Sequence, residues 1–420
     1  MRALAKTFLS LRNRNFRLFF IGQLISNTGN WLTNVALILF VLKLTRSGFD
    51  VGVLTAFQFG PIFFLSPWAG ALADRLDKHR LILVTQTLEM AQSVGLAVIA
   101  FLPHPPLAAV YILAAFGGIF LAFDNPFRRS FVSEMVPHSD IPNAVVLYST
   151  LVNVSRIFGP ALAGLLVVTV GFGWCFTLDA LSYGAVLTAL SMMRIKELHR
   201  QPRRARTKGE IGEGIRYILS VPVLRISFIM ITFIGMLSYN FNVTLPLFVT
   251  KSLHGSEGVF TILYSLFSLG AVVCALLVAH RNLVGIRYNI IGACALGVVM
   301  ILMSLVSDVI LAVPVIFILG MASILYMNAT TALAQVEAKR EMHGRVLALQ
   351  AVLMVGTTLI GGPLSGWLAD SFGARLPFLF GGFVCLLSAA FGYWATNRYI
   401  PKAIERSFVL TESIEPPDEG

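Results

Sequence analysis

Twelve apolar runs, each close to the length that crosses a bilayer, follow one another along a chain of 420 residues with little between them. A hydrocarbon core of about 30 Å takes about 20 residues at a rise of about 1.5 Å each. The runs cover approximately 17-43, 50-72, 81-103, 106-126, 144-169, 173-193, 224-249, 258-279, 288-307, 309-335, 346-369 and 376-397. Lipid offers no hydrogen bonds, so each run must satisfy its own backbone, and a helix does so within one segment. The chain is 56% hydrophobic and 13% charged, with a mean hydropathy of +0.79. That is far from the usage of soluble domains. The expected fold class is all-α membrane, with twelve transmembrane helices.

A net charge of +11 raises nucleic acid as a partner, but the placement of the basic residues argues against it. With the N-terminus in the cytoplasm, cytoplasmic segments hold 27 of the 32 Lys and Arg residues. The other face holds Lys43, Arg46, Lys251 and Arg375, and Arg156 lies within a run. The positive-inside rule then places both termini in the cytoplasm, as expected of a bacterial inner-membrane protein. No nucleic-acid partner is expected; membrane lipids are.

Asn34 to Lys43 reads NVALILFVLK and Asn242 to Lys251 reads NVTLPLFVTK, seven identities in ten positions. Nearly the same offset relates Gly52-Val53 to Gly258-Val259, Glu134 to Glu337, and Gly159, Gly164 and Gly171 to Gly361, Gly366 and Gly373. Such recurrence indicates two related halves. Since runs 1 and 7 point the same way, the repeat is parallel, with six helices per half. The expected organisation is a bundle over 1-193, a cytoplasmic linker over 194-222, a second bundle over 223-397 and a disordered cytoplasmic tail over 398-420. The linker carries the basic stretch RIKELHRQPRRARTKGE, read as solvated with some attraction to anionic lipid. Residues 1-15 are basic and amphipathic and suggest an interfacial helix. The segment FRRSFVSEMVPHSDIPN at 127-143 suggests a short surface helix and a turn at Pro137.

Cys175, Cys274, Cys294 and Cys385 all fall within runs and show no paired spacing, so neither a disulfide framework nor a metal site is indicated. There is no phosphate-binding G-x-x-x-x-G-K-[ST] loop and no nucleophile constellation. No cofactor and no enzyme activity are expected.

Gly70 to Arg80 reads GALADRLDKHR after run 2. It resembles the loop between spans 2 and 3 of the major facilitator superfamily, G-x-x-x-D-R-x-x-[RK]-[RK]-[RK], matching at Gly70, Asp74, Arg75, Lys78 and Arg80, with His79 in place of a basic residue. The resemblance implies the major facilitator fold and a conformational latch. Asp74 would accept from the N-terminus of span 11, and Arg75 or Lys78 would pair with Asp124. The corresponding loop HRNLVGIR at 280-287 has no acid, so the latch is asymmetric. Arg156 to Gly164, RIFGPALAG, resembles the G-P-x-x-x-G signature of exporters, with Gly159, Pro160 and Gly164 bending the helix and sealing the cavity; plain packing is the other reading. Together with NFRLFFIGQLISNTGNWLTNVAL at 15-37 and PHSDIPNAV at 137-145, these segments resemble the branch of the enterobactin exporter and drug:proton antiporters.

Ionisable groups inside a bilayer are costly and mark function or pairing. Arg156 and Asp179 lie at similar depth on neighbouring runs and suggest a buried pair, either static or proton-linked. Glu89, with Gln86 and Gln92 beside it, suits a proton carrier or a group facing a wet crevice. Asp124 lies nearer the surface, as a latch partner would. These four are the proton-coupling candidates.

Gln23, Asn27, Asn30, Trp31 and Asn34 form a polar stripe at helical spacing on run 1. Run 7 offers Tyr239, Asn240 and Asn242, and run 10 offers Tyr326, Asn328 and Thr330. The resemblance adds run 4, with Tyr111, Phe116, Phe120 and Phe123, since spans 1, 4, 7 and 10 surround the substrate path in the family. A neutral, polar and aromatic cavity suits an amphipathic solute and argues against small anions. The implied function is secondary active export of a drug-like or siderophore-like molecule by alternating access, with protons exchanged and the chain acting as a monomer. A lysophospholipid flippase of the same superfamily and a non-transporting membrane sensor or scaffold are the alternatives.

Overall fold

A computed structural model describes residues 8–73, 76–199, 210–278, 285–339 and 341–399, and it is helical almost throughout. The first half holds α1 (Arg14–Thr45), α2 (Gly48–Ala73), α3 (Lys78–Ala100), α4 (Leu107–Val132), α5 (Ile141–Thr169) and α6 (Phe172–Ser191). After α7 (Glu210–Ser220) come α8 (Pro222–Leu237), α9 (Phe241–Leu247), α10 (Glu257–Val278), α11 (Ile286–Leu305), α12 (Val309–Glu337), α13 (His343–Gly356), α14 (Thr358–Phe372) and α15 (Leu376–Tyr399).

Eleven helical segments among the described residues are long and apolar enough to cross a membrane, with α8 and α9 forming one and α13 and α14 another. The twelfth span is α6. At 20 residues it has the length, but Asp179, Ser182, Tyr183 and two glycines lower its apolarity. Two spans are interrupted. The seventh breaks between Leu237 and Phe241, contains Pro246 and ends in a π turn, Phe248–Ser252. The eleventh breaks at Thr357.

The repeat is visible atom by atom. A Cβ on Gly159 would collide with Trp31 and Leu32 of the first span, and one on Gly361 with Met236 of the seventh. A Cβ on Gly164 would overlap Thr261 Oγ1 on α10, and one on Gly366 would overlap the Gly48 carbonyl on α2. Gly171 and Gly373, with φ of +89° and +98°, turn the chain at the ends of α5 and α14. Equivalent glycines thus make equivalent contacts: within each half to its first helix, and then across to the other half. Small residues are what let membrane helices approach this closely.

Inside the first half, α1 lies against α5 and α6, α3 against α4 and α6, and α2 against α4. The second half repeats the plan with α10 on α12, and α11 on α12 and α15. The halves meet along α2 with α14 and α5 with α10.

Three boundaries differ from the sequence reading. First, α4 does not stop at 126 but runs to Val132, so the expected surface helix after it is its own last turns; a short 3-10 turn, His138–Asp140, follows. Second, α1 starts at Arg14, preceded by a 3-10 turn, Leu9–Arg12. The described part of 1-15 is strapped to the bundle. Ser10 N donates to Asn143 Oδ1 at 3.0 Å, and Asn15 exchanges two 3.0 Å hydrogen bonds with the backbone of Arg194. Third, the linker ends in α7, which docks on the second half through Tyr217, whose hydroxyl accepts from Lys339 N at 3.0 Å, and through Glu213 with Arg345 at 2.6 Å. The basic stretch at 200-209, most of the loop at 280-287 and the tail from 400 lie outside the described residues.

Candidate functional site

A cavity of about 50 Å³ opens inside the first half, between α1, α2, α3, α4 and α6. Asn30, Thr33 and Asn34 line it from α1, Gln58 from α2, Glu89 and Gln92 from α3, Gly117 and Gly118 from α4, and Asp179 and Tyr183 from α6. Its lining is rich in acceptors. Glu89 takes one hydrogen bond, from Gln86 Nε2 to Oε2 at 2.9 Å, while Glu89 Oε1, Gln58 Oε1 and Thr33 Oγ1 are buried without a partner. Asp179 accepts from Ser93 Oγ at 2.7 Å and from Ser182 Oγ at 3.4 Å. A side chain on Gly29 would strike Asp179 and Ser182, so that glycine makes the room for the carboxylate. Two buried acids with neutral donors only are unusual inside a membrane domain and mark a functional region.

Below the cavity, Asp124 is fully buried and forms an ion pair with Arg128 one turn along α4. Thr85 Oγ1 donates to Asp124 Oδ1 at 2.7 Å. Arg128 also donates to Gln23 Oε1 at 2.8 Å, and Asn27 Nδ2 donates to the same oxygen at 3.1 Å. The expected pairing of Asp124 with Lys78 is therefore not formed. Lys78 instead meets Glu134 at 2.5 Å, and Asp74 and Arg75 lie outside the described residues. Gln23 and Asn27 accordingly support an internal charge pair rather than line the cavity. Arg128 is not among the sequence candidates, because Arg128-Arg129 after Pro126 falls beyond run 4 in the segment that suggests a surface helix. The D-x-x-x-R spacing was the available signal, since it keeps both charges on one helix face. Arg129, one residue on, is exposed.

The expected pair of Arg156 with Asp179 is not formed. Arg156 turns the other way and lies over the Trp31 ring, 5.3 Å from its centroid. α5 directs it toward the interface between the halves, while Asp179 on α6 points into the first bundle, so similar depth did not imply the same side. Trp31 therefore packs on α5, outside the cavity that Asn30 and Asn34 line.

The remaining candidates are distributed. Tyr111 donates to Asp50 Oδ1 at 3.0 Å, tying α4 to the start of α2. Phe116 and Phe120 stack on each other at 6.1 Å, and Phe116 is exposed on the helix face opposite Ala114 and Gly118, so it does not wall the cavity. Tyr239 donates to Ser323 O at 3.0 Å, Asn240 to Met236 O at 2.7 Å, and Asn242 accepts from Tyr264 at 2.9 Å. Tyr326 is buried with its hydroxyl unpartnered, Thr330 accepts from Asn289 at 2.7 Å, and Asn328 is half-buried. The structure does not bring these residues of the second half into the first-half cavity.

One face of the molecule is held shut. At the end away from Lys78, Arg80 and Arg129, Asp370 of α14 accepts from Gly48 N at 2.8 Å, Phe49 N at 2.9 Å and Ser47 Oγ at 3.1 Å. It thereby caps the N-terminus of α2 from the other half, and Lys251 approaches the same carboxylate at 2.6 Å. Gly52 with Gly362 and Gly164 with Thr261 continue the closure.

Comparison with known proteins places this geometry. A model of the transmembrane secretion effector family matches residues 5–408. The chain belongs to that family of major facilitator transporters. It is 23% identical over 399 residues to the staphyloferrin A transporter of Staphylococcus aureus, covering 93% of this chain and 98% of that one. It is 28% identical over 211 residues to the enterobactin exporter EntS of Shigella flexneri, which is 50% of this chain and 51% of the exporter. Among solved structures it superposes on a POT family transporter in complex with 5-aminolevulinic acid with a TM-score of 0.76 at 14% identity, covering 93% and 97% of the two chains. A bacterial homolog of the human lysosomal transporter Spinster gives 0.72 at 15% identity, covering 92% and 97%. The protein is thus an integral membrane transporter of small molecules, not an enzyme.

Within a family of transporters the exporter-like motif acquires a structural meaning. Gly159 sets the distance from α5 to α1, and Gly164 sets the distance from α5 to α10 across the halves. One short segment thus packs α5 on α1 and on α10.

Proposed function

We propose that this transporter exports an amphipathic molecule of the drug-like or siderophore class across the bacterial inner membrane by alternating access, in exchange for protons. The observation that carries the reading is the closure of one face by contacts between the halves: Asp370 on the N-terminus of α2, Gly366 against Gly48, and Gly164 against Thr261. A carrier needs two such closures that alternate, and the latch segment at 70-80 supplies the residue types for the other. Sorting of basic residues makes the shut face the outer one, leaving both termini in the cytoplasm. The two siderophore transporters among the relatives support the substrate class. Glu89 and Asp179 are the carboxyl groups placed to take up and release protons, with Asp124 held by Arg128 beneath them. The chain works as a monomer in the membrane.

Everted membrane vesicles, offered a panel of siderophores and amphipathic dyes, test this reading. Uptake should require a pH gradient and should become indifferent to it in Glu89→Gln or Asp179→Asn. Transport of an identified substrate that survives collapse of the gradient in the wild-type protein would exclude proton exchange.

A further inference from the structure

Arg156 sits near the middle of α5, in a region where an unpaired cation is costly, and forms no ion pair among the described residues. Its Nε is buried without a hydrogen-bond partner, and the acid that sequence would pair it with, Asp179, is held by Ser93 and Ser182 on the far side of α1. Trp31 lies under the guanidinium, 5.3 Å from the ring centroid. Trp31 and Arg156 are both half-buried.

We infer that Arg156, with Trp31, forms a subsite for an oxyanion on an amphipathic substrate, the guanidinium receiving the charged group while the indole packs its apolar part. This rests on the transport reading above and deepens it. The donors here are complementary to the acceptor-rich cavity of the first half, so the two regions select opposite chemistry. A guanidinium presents paired N–H groups that match a carboxylate or a phosphate, and stacking on an indole holds the fork in plane.

The oxyanion has two possible sources, a small-molecule carboxylate or the phosphate of a lysophospholipid. Direct binding to the full-length purified protein in nanodiscs separates them, with 1-pyrenebutyrate, its methyl ester and lysophosphatidic acid as probes. Wild type should bind at least one anion, and Arg156→Gln should weaken that binding about tenfold or more while leaving the ester unchanged. Arg156→Lys, which retains charge without the fork, should recover part of it. Whichever anion depends more strongly on Arg156 identifies the source. Equal binding of acid and ester by wild type, failure of wild type to bind either anion, or undiminished anion binding by a folded Arg156→Gln protein would overturn the inference. Because binding is read without transport, loss of this inference in the binding assay would leave the transport reading standing, and failure of the vesicle assay would leave the binding result standing.

Discussion

Asp370→Ala should unlock the outer face, and the structure allows the size of the effect to be worked out. The carboxylate caps the N-terminus of α2 through Gly48 N and Phe49 N, and loss of an N-cap costs about 1 kcal/mol. Its ion pair with Lys251 has side-chain exposures of 26% and 34%, so solvent screening reduces that contribution to about 0.5 kcal/mol. Only the cap joins one half to the other, since Lys251 and Asp370 both belong to the second half, and the cap should vanish when the outer face opens. The substitution therefore weakens the closed state relative to the open one by about 1 kcal/mol, roughly a fivefold shift in their ratio. Spin labels on Arg46→Cys and Arg375→Cys, exposed residues at the outer ends of the two halves, would report the change as a growing long-distance population in pulsed electron spin resonance. Lys251→Met, which removes a contact inside the second half, should leave the distribution close to that of the wild type. An unchanged distance distribution in Asp370→Ala, with the protein folded, would refute the assignment of Asp370 as an outer latch.

Further outcomes follow from buried groups. Arg128→Met leaves Asp124 fully buried beside no cation, and should lower stability by about 3 to 5 kcal/mol; Arg128→Met with Asp124→Leu should restore much of it, as read by thermal unfolding in detergent. Gly164→Ala places a methyl on Thr261 and should cost about 1 to 3 kcal/mol of the contact between α5 and α10, with Thr261→Ala partly relieving it; equal stability and unchanged outer accessibility in both variants would count against the closure. Glu89→Gln should fold normally, because Gln keeps the shape of the side chain, and its substrate movement in vesicles should no longer respond to a pH gradient; a response equal to wild type would remove Glu89 from the coupling path.

Span number, the pairing of the halves and the family were legible because they depend on local composition and on repetition. A bilayer demands long apolar runs, and a duplication leaves equivalent glycines at equivalent offsets. Gly159 and Gly361, or Gly164 and Gly366, could be matched without knowing what they touch. The site was less legible. Asn30, Asn34, Glu89 and Asp179 do share a cavity, since their helical faces converge on the bundle interior. Arg128 falls in the segment that suggests a surface helix, because basic residues after an apolar run usually mark the membrane surface. Arg156 and Asp179 were joined by depth alone, although depth along an axis says nothing of rotation about it.

By itself, then, the sequence determined a twelve-span transporter of two parallel halves and which ionisable residues its spans contain. Tertiary structure decided the partners: Asp124 with Arg128, Lys78 with Glu134, Asp179 with Ser93, and Arg156 with Trp31 instead of an acid. The reason is physical. Apolarity and period act along one chain segment, whereas a buried charge is satisfied by whichever groups neighbouring helices rotate toward it. That rotation is set by packing against glycines such as Gly29, Gly159 and Gly164.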